Sequence, residues 1–267
     1  MPRDISNMKR VAAIGDIHGC IREFKLLYSM LEHESLDEIR HSGDLVDRGP
    51  DTAGVIDFCI EKGITGVMGN HDSVLVEWLK HTDGRIPKNP DKVRSLQQIN
   101  NHPNSENLKR YLRELPYIHI DDSINTVFVH GGLLPTIPLY AQPSALICRL
   151  AMINPELPSE IRWFNIDRKG VPEADNRAKG WVRWYEVYNH EQDVVFGHTV
   201  WQKGPFVYQR PGYGRCIGND TGCNWSGELT AVIMPDLKFI STPKTKEFTT
   251  WHDLMRDDPY CKPEFID

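Results

Sequence analysis

The sequence predicts an α/β fold in which a βαβαβ half is joined to a half rich in β-strands, with two sheets facing each other. In the first half, three short apolar runs are each followed by a run with apolar residues three or four positions apart. Polar clusters containing glycine begin at residues 15, 43 and 69, each directly after an apolar run. Because a βαβ unit takes about 30 residues, these clusters are expected at successive strand ends on one rim of a sheet, where ligands bind in open α/β folds.

The elements of the first half follow from these runs and from the residues that end them. Strands are predicted at residues 11–14, at residues leading from 35 to Gly43, and at 64–68. Helices are predicted at 21–31, from about 55 to Gly63, at 73–79 and at 108–115. Residues 83–104 are polar and contain three prolines, so we expect an insertion or lid there.

After residue 116 the pattern changes to short apolar runs separated by turns. Strands are predicted at residues 117–120, 126–129, 194–196, 206–209, 215–217, 229–234 and 237–241, and one helix at 145–152. Residues 153–192 have no clear periodicity and are expected to form an irregular cap over the site. The whole chain, 1–267, is therefore predicted to be one domain with a core of about 9–242, cap insertions at about 83–104 and 153–192, and a tail at 243–267.

The composition is that of an ordinary globular protein. Of 267 residues, 40% are hydrophobic and 25% charged, and the formal net charge of −6 argues against an extended nucleic-acid surface. Six cysteines are widely spread with no CxxC pair, which favours reduced thiols over a disulfide framework. The apolar run at residues 11–14 is too short for a signal peptide or a membrane span. We therefore expect a cytoplasmic protein that does not associate with membranes.

Polar side chains end the predicted strands and suggest a metal site. They are Asp16, His18, Asp44, Asn70, His130 and His198. A lone histidine at a strand end is more often a hydrogen-bonded structural residue, but five clusters at five strand ends favour metal ligands. Two carboxylates, three imidazoles and an amide oxygen suit first-row divalent metals. Six ligands are many for one catalytic metal and fit two ions about 3.5–4 Å apart if one aspartate bridges them.

Five motifs together resemble the signature of the phosphoprotein-phosphatase-type, or calcineurin-like, metallophosphoesterases. They are GDIHG at 15–19, GDLVDRG at 43–49, GNHD at 69–72, VFVHGG at 127–132 and VVFGHT at 194–199. That family includes Ser/Thr protein phosphatases and symmetrical diadenosine tetraphosphate hydrolases. The resemblance implies a four-layer α/β/β/α sandwich with two divalent ions, usually manganese, with iron or zinc as alternatives. It implies that Asp16 and His18 hold one ion, that Asn70, His130 and His198 hold the other, and that Asp44 bridges them.

The same resemblance implies roles for residues beside the metal ligands. A hydroxide that bridges the two metals would attack phosphorus while Arg48 binds the phosphoryl oxygens. His71 would donate a proton to the leaving oxygen, with Asp47 orienting it, although Asp47 and Arg48 could form only an ion pair and His71 could cap a helix.

A second phosphate-binding arginine is expected from the cap, and Arg183 is the candidate. The competing arginines are Arg149, Arg162 and Arg177, and a solvated Arg183 is the alternative. Asp220 would either support a metal-binding histidine without binding the metal itself, or form a simple turn.

The substrate is predicted only as a class. The residues from His130 to Gln142 resemble the diadenosine-tetraphosphatase-like branch, which favours dinucleoside polyphosphates or capped nucleotides. The aspartate before Arg48 is a feature of Ser/Thr phosphoprotein phosphatases, which are the alternative. A phosphate-binding module without activity is a further alternative. Trp163, Trp181 and Trp184 of the cap would either stack on a base or pack in a core, and no feature for docking a regulatory subunit is evident.

Overall fold

The computed structural model describes residues 8–81, 85–135, 137–156, 161–162, 176–225 and 227–244. The strands within this part are β1 Val11–Ile14, β2 Glu38–His41, β3 Thr65–Gly66, β4 Ile118–Asp121, β5 Thr126–Val129, β6 Met152–Ile153, β7 Ile161–Arg162, β8 Val182–Arg183, β9 Asp193–Phe196, β10 Phe206–Gln209, β11 Arg215–Gly218, β12 Thr230–Met234 and β13 Lys238–Ser241. The helices are α1 Ile21–Leu31, α2 Thr52–Lys62, α3 Asn70–Trp78, α4 Pro90–Asn101, α5 Ser105–Glu114 and α6 Ser144–Ile147.

Two five-stranded sheets form the body of the protein. The first has the strand order β13-β12-β1-β2-β3, and β1, β2 and β3 run parallel, as the βαβαβ prediction requires. β12 runs antiparallel to β1, with Val11 opposite Met234. The second sheet has the order β10-β11-β9-β5-β4, with a parallel centre of β11, β9 and β5 and an antiparallel strand at each edge.

The alternation of side chains along each strand places the two sheets face to face. In β1, Ala12 and Ile14 pack with the residues of α1, α2 and α5, whereas Val11 and Ala13 pack against the second sheet. Phe128 in β5 and Val195 in β9 belong to this inter-sheet core. The outer face of the second sheet is covered by a further core that includes Trp184, Tyr185 and Tyr188. The fold is thus the predicted α/β sandwich, and its fourth layer consists, in the described residues, of short helical and strand segments.

The segment at residues 83–104, predicted to be an insertion or lid, contains the helix α4 at Pro90–Asn101, for which the sequence analysis predicted no helix. Asn89 caps the helix, accepting hydrogen bonds from the backbone N–H groups of Asp91 at 2.9 Å and Lys92 at 3.4 Å, and Pro90 occupies its first turn. The sequence of α4 lacks a helical spacing of apolar residues because two of the side chains that the helix buries, Lys92 and Ser95, are polar. Proline is common in loops but also at the first position of a helix, where Pro90 stands.

The helix predicted at 145–152 was also too long. It ends at Ile147, and Met152 and Ile153 form β6, which pairs with both β7 and β8 in a small third sheet. The pairing of Met152 and Ile153 with two strands therefore outweighs the helical spacing of apolar residues in this segment. Within the described residues, no helix has the length and apolar character needed to cross a bilayer.

Candidate active site

The polar residues predicted from strand ends do meet at one rim of the two sheets. Asp16 and His18 follow β1, Asp44 follows β2, Asn70 begins α3 after β3, His130 follows β5, and His198 follows β9. Ligand atoms of His18, Asp44 and His71 lie within 4.8 Å of one another, and so do those of Asp16, Asp44 and His130. Asp44 belongs to both groups, which is the arrangement expected of a bridging carboxylate.

The backbone of these loops is held in an unusual conformation. The φ angles of His18, Asp44, Asp47, Arg48 and His198 lie between 47° and 68°, in the left-handed region that non-glycine residues rarely adopt. Each such residue carries strain of about 1–3 kcal/mol and persists only where its surroundings hold it. The clustering of this strain around Asp44 is typical of a functional site.

Gly69 shows how closely the loops approach. A Cβ atom at Gly69 would lie 2.2 Å from both the backbone nitrogen and a carboxylate oxygen of Asp44. Only a residue without a side chain allows the start of α3 to touch the loop after β2. This contact is what brings Asn70 and His71 to Asp44.

Asp72, buried in the first turn of α3, anchors that loop. Its carboxylate accepts hydrogen bonds from the backbone N–H groups of Asp44 at 2.8 Å, Leu45 at 2.9 Å, Val46 at 3.3 Å and Gly69 at 3.0 Å. Burial, followed by the charge of Asp44, raises the pKa of Asp72 to about 7, while the N–H groups act in the opposite direction. Asp72 therefore fixes the backbone that carries Asp44.

Replacing Asp72 by asparagine is expected to destabilise the fold. Both carboxylate oxygens accept N–H groups, and the amide nitrogen of asparagine would face donors in place of one oxygen. Leaving buried donors unsatisfied costs about 1–3 kcal/mol each, so the free energy of unfolding should fall by about 2 kcal/mol or more. Urea denaturation measures this change. The control is Asp37→Asn, because Asp37 is exposed and accepts one backbone N–H, from Arg10; an equal loss in both variants would contradict the anchoring role.

The protonation of His18 indicates that a cation fits beside it. Its Nδ1 lies 2.8 Å from the carbonyl oxygen of Val46, and because a carbonyl only accepts, Nδ1 carries the hydrogen. Burial, followed by the charge of Arg48, lowers the pKa of His18 well below its ordinary value, so its Nε2 presents a lone pair. That Nε2 lies 3.5 Å from a carboxylate oxygen of Asp44, which also presents lone pairs. Two acceptors facing each other in a buried site suit a metal ion between them.

His130 is oriented in the same way. Its Nδ1 donates to the carbonyl oxygen of Ser42 at 2.8 Å, and its Nε2 lies 3.0 Å from Asn70 Oδ1 and 3.4 Å from Asp44 Oδ2. Although burial opposes it, the charges of Asp44 and Asp16 raise the pKa of His130 well above its ordinary value. A cation bound by Nε2 and the two oxygens would satisfy the same charges as the proton does. The residues of both groups therefore fit divalent metal ions.

Asp16 and His198 complete the cluster. The backbone N–H of His198 lies 3.2 Å from both carboxylate oxygens of Asp16, to which it donates. Burial, then the nearby carboxylate of Asp220, raises the pKa of Asp16 well above its ordinary value. Burial, then the charge of His130, lowers the pKa of His198 to about 3, so its imidazole is neutral and able to bind a metal.

Asp220 lies beside Asp16 and forms a turn. Its Oδ1 accepts the backbone N–H of Gly222 at 2.9 Å. In the described residues, Nδ1 of His18 and Nδ1 of His130 are bonded to the backbone carbonyls of Val46 and Ser42 and not to Asp220. Support of a histidine by Asp220 therefore stays a prediction, and the turn is the contact that the structure contains.

His71 and Asp47 form the pair expected of an oriented proton donor. Nδ1 of His71 lies 2.7 Å from Asp47 Oδ2, which leaves Nε2 directed away from Asp47, 3.2 Å from an Nη atom of Arg48. Burial lowers the pKa of His71; Asp44 and Asp47 oppose this shift, and Arg48 adds to it. Although burial opposes it, the hydrogen bond from His71 and the charge of Lys92 hold the pKa of Asp47 far below its ordinary value.

Two neighbours of this pair were missed in the sequence. Lys92 and Ser95 of α4 both reach the carboxylate of Asp47. The Asn89-Pro90 pair, a helix-start signal, could have indicated α4, although not its contact with Asp47.

Trp225 was also missed. It is 51% exposed, and the Arg48 guanidinium lies 5.5 Å from the centre of its ring. With its side-chain amide oriented to satisfy both donors, Asn224 accepts from Arg48 at 3.3 Å and from the Trp225 indole N–H at 3.1 Å. By contrast, Trp181 and Trp184 are 4% and 1% exposed and pack in the core, and Trp163 lies outside the described residues.

The candidates for a second phosphate-binding arginine are spread over the fourth layer. Arg183 is buried in β8, opposite Met152 of β6. Arg177 forms an exposed ion pair with Glu186 at 2.7 Å. The backbone nitrogen of Arg149 would lie 2.8 Å from a Cβ placed on Gly131, directly after His130. The side chain of Arg162 lies outside the described residues, and Arg183 stays the predicted residue.

Comparisons with known proteins agree with this geometry. A family model described as calcineurin-like phosphoesterase matches residues 9–233. A protein of Nitrosospira multiformis named symmetrical bis(5'-nucleosyl)-tetraphosphatase is 30% identical, and the match covers 87% of this chain and 95% of the relative. A protein of the same name from Pectobacterium atrosepticum is 25% identical, with 88% and 95% covered. A crystal structure provisionally identified as a diadenosine tetraphosphatase has a TM-score of 0.67 at 26% identity, with 90% and 96% covered.

Proposed function

Since the chain belongs to the calcineurin-like phosphoesterase family, we propose that this hydrolase of phosphoric esters or anhydrides works with two divalent ions. Manganese is the first candidate for these ions, and iron and zinc are the alternatives. The residues that would hold them are Asp16, His18, Asp44, Asn70, His130 and His198. When bound, such ions supply an activated water near neutral pH and neutralise charge on the phosphoryl oxygens.

The observation that carries this proposal is the shared position of Asp44. One of its oxygens faces Nε2 of both His18 and His130, at 3.5 and 3.4 Å, and both rings have Nδ1 bound to a backbone carbonyl. A buried pair of such arrangements around one carboxylate supports two cations rather than one. Two divalent ions would also make this site positive in a chain whose net charge is −6, which favours a phosphate substrate.

The chain's own residues then divide the remaining work. Arg48 binds phosphoryl oxygens through its guanidinium, which forms two parallel hydrogen bonds with such groups. His71 donates a proton from Nε2 to the leaving oxygen, and Asp47 holds the ring through Nδ1. Because Arg48 lies beside Nε2 of His71, both residues can reach one bound phosphoryl group.

For the substrate, we favour a dinucleoside polyphosphate or a capped nucleotide. Relatives of similar length carry the name symmetrical bis(5'-nucleosyl)-tetraphosphatase. The exposed indole of Trp225 beside Arg48 offers a flat apolar surface on which a base can stack. A Ser/Thr phosphoprotein phosphatase remains the second candidate, because Asp47 stands before Arg48.

A panel of three substrates tests the choice. With Mn²⁺, diadenosine tetraphosphate should be the best substrate by kcat/KM and should yield ADP alone, while 4-nitrophenyl phosphate and a phosphoserine peptide should be slower. Cleavage of the peptide with intact diadenosine tetraphosphate would reverse the choice. A protein that binds Mn²⁺ and cleaves none of the three would favour the inactive phosphate-binding module.

Trp225→Ala should lower kcat/KM for diadenosine tetraphosphate about tenfold, because stacking of a base on an aromatic ring contributes about 1–3 kcal/mol. Trp225→Phe should keep most of the activity, and inorganic tripolyphosphate, which has no base, should be cleaved at an unchanged rate by both variants. Tyr213→Ala is the matched control, since the ring of Tyr213 also has an arginine, Arg210, over it at 4.8 Å and lies in the turn between β10 and β11. Equal losses on both substrates would show that Trp225 acts on Arg48 and not on a base.

A further inference from the structure

One face of α4 is fastened to the loop that carries Asp47 and Arg48. Lys92 Nζ contacts Asp47 Oδ2 and donates to the carbonyl oxygen of His71 at 2.9 Å. Ser95, one turn further along, donates to Asp47 Oδ1 at 2.9 Å. The Gln98 side chain donates to the carbonyl oxygen of Pro50 and accepts from the backbone N–H of Thr52, both at 2.7 Å. The three side chains lie three residues apart, so they project from one side of the helix.

The burial of Lys92 requires an explanation. The residue is only 7% exposed, and a buried ammonium group is unfavourable unless it is paired and hydrogen-bonded. A helix that needed only to pack would bury an apolar residue here, as α4 does at Ile99. A lysine at this position therefore indicates that its charge and hydrogen bonds are used.

The target of these bonds is the carboxylate that orients His71. Asp47 Oδ2 accepts from both His71 Nδ1 and Lys92 Nζ, and Oδ1 accepts from Ser95. With both oxygens held, the carboxylate cannot rotate, and the imidazole bound to it has one direction for Nε2. Lys92 fixes the same histidine a second time through its backbone carbonyl.

We propose that Lys92 and Ser95 are positioning residues for the proton donor: by fixing Asp47 from α4, they aim Nε2 of His71 at the leaving oxygen. This inference rests on the proposed function, in which His71 protonates the leaving group. Neither side chain touches the substrate. α4 is thus a support of the active site, in the segment where the sequence suggested a lid.

Leaving-group dependence tests this role. Protonation matters for phenyl phosphate, whose leaving group is a poor one, and little for 4-nitrophenyl phosphate. Because general acid catalysis contributes about 10²–10⁴-fold, Lys92→Met should lower kcat on phenyl phosphate about tenfold or more, with less than about a twofold change on 4-nitrophenyl phosphate and in KM. Lys92→Arg should restore part of the loss, and Ser95→Ala should show a smaller loss of the same kind. In a His71→Ala background, Lys92→Met should add nothing.

Equal losses on both substrates, or a further loss in the His71→Ala background, would overturn the inference, because Lys92 would then act on the fold or the metal centre. Lys109→Met is the matched control, since Lys109 of α5 pairs with Glu106 on the surface. If Lys92→Met fails to fold, Ser95→Ala alone decides by the same comparison.

A second measurement does not depend on turnover. In the Mg²⁺-loaded protein with ¹⁵N-labelled histidine, the Nδ1–H of His71 should give a downfield proton signal protected from exchange with water, absent in His71→Ala. In Lys92→Met and in Ser95→Ala, this signal should shift or lose its protection from exchange. An unchanged signal in both variants would contradict the inference. If the wild-type protein cleaves no phosphate substrate, the proposed function fails, and this signal still decides whether α4 positions His71.

Discussion

Asp44→Asn is expected to lower kcat by at least about 10³-fold, because metal ions contribute several kcal/mol to such reactions and each 1.4 kcal/mol is tenfold in rate. The carboxylate faces Nε2 of both His18 and His130, so its loss affects both ion positions at once. The amide also removes one negative charge from a buried site. We therefore expect the purified variant to hold fewer than two equivalents of Mn²⁺ in metal analysis.

The fold of this variant should survive. The oxygen of the introduced amide can still accept the backbone N–H of His71, which the carboxylate of Asp44 accepts at 2.8 Å. The amide lacks the charge that, against burial, keeps His130 protonated, so without metal the variant should melt below the metal-depleted wild type but still unfold in one cooperative transition. Asp122→Asn, in an exposed turn before β5, is the control and should keep metal and activity. Full turnover with two bound ions in Asp44→Asn would refute the bridging role.

The positions of the candidate ligands could be predicted because they depend on topology. Short apolar runs mark buried strands, and right-handed βαβ connections bring the ends of parallel strands to one rim. The predicted bounds of α1, 21–31, are those of the structure, since its apolar face packs on the first sheet. α2 ends at Gly63, whose φ of 65° is the left-handed conformation that glycine allows.

The supports of the site could not be predicted, because their burial is a property of the assembled fold. Asp72 has the sequence pattern of an ordinary residue in the first turn of a helix, yet it holds the loop of Asp44. Lys92 stands in a polar segment and resembles a surface residue until α4 packs on α2, α3 and α5. Trp225 differs from the core tryptophans only in its exposure, which a single sequence does not contain.

His71→Ala should produce the largest effect that depends on the leaving group. The ring donates from Nδ1 to Asp47, so Nε2 is the atom that can reach a substrate, and it lies beside Arg48. Loss of a general acid lowers kcat by about 10²–10⁴-fold when the leaving oxygen needs a proton. We expect a loss of this size on phenyl phosphate and a loss of less than about tenfold on 4-nitrophenyl phosphate, whose leaving group departs as a stable anion. His33→Ala, on the surface, should change neither rate.

The pH dependence of the same reaction supplies an independent check. Burial lowers the pKa of His71 below 6.5, and a proton donor works only in its protonated form. The protonated fraction is complete below that pKa and is lost as pH rises through it, so kcat for phenyl phosphate in the wild type should fall with rising pH while kcat for 4-nitrophenyl phosphate falls less. His71→Ala should remove this difference between the two substrates. If the difference persists in the variant, the proton comes from another group, and the pairing of His71 with Asp47 serves only to hold the start of α3.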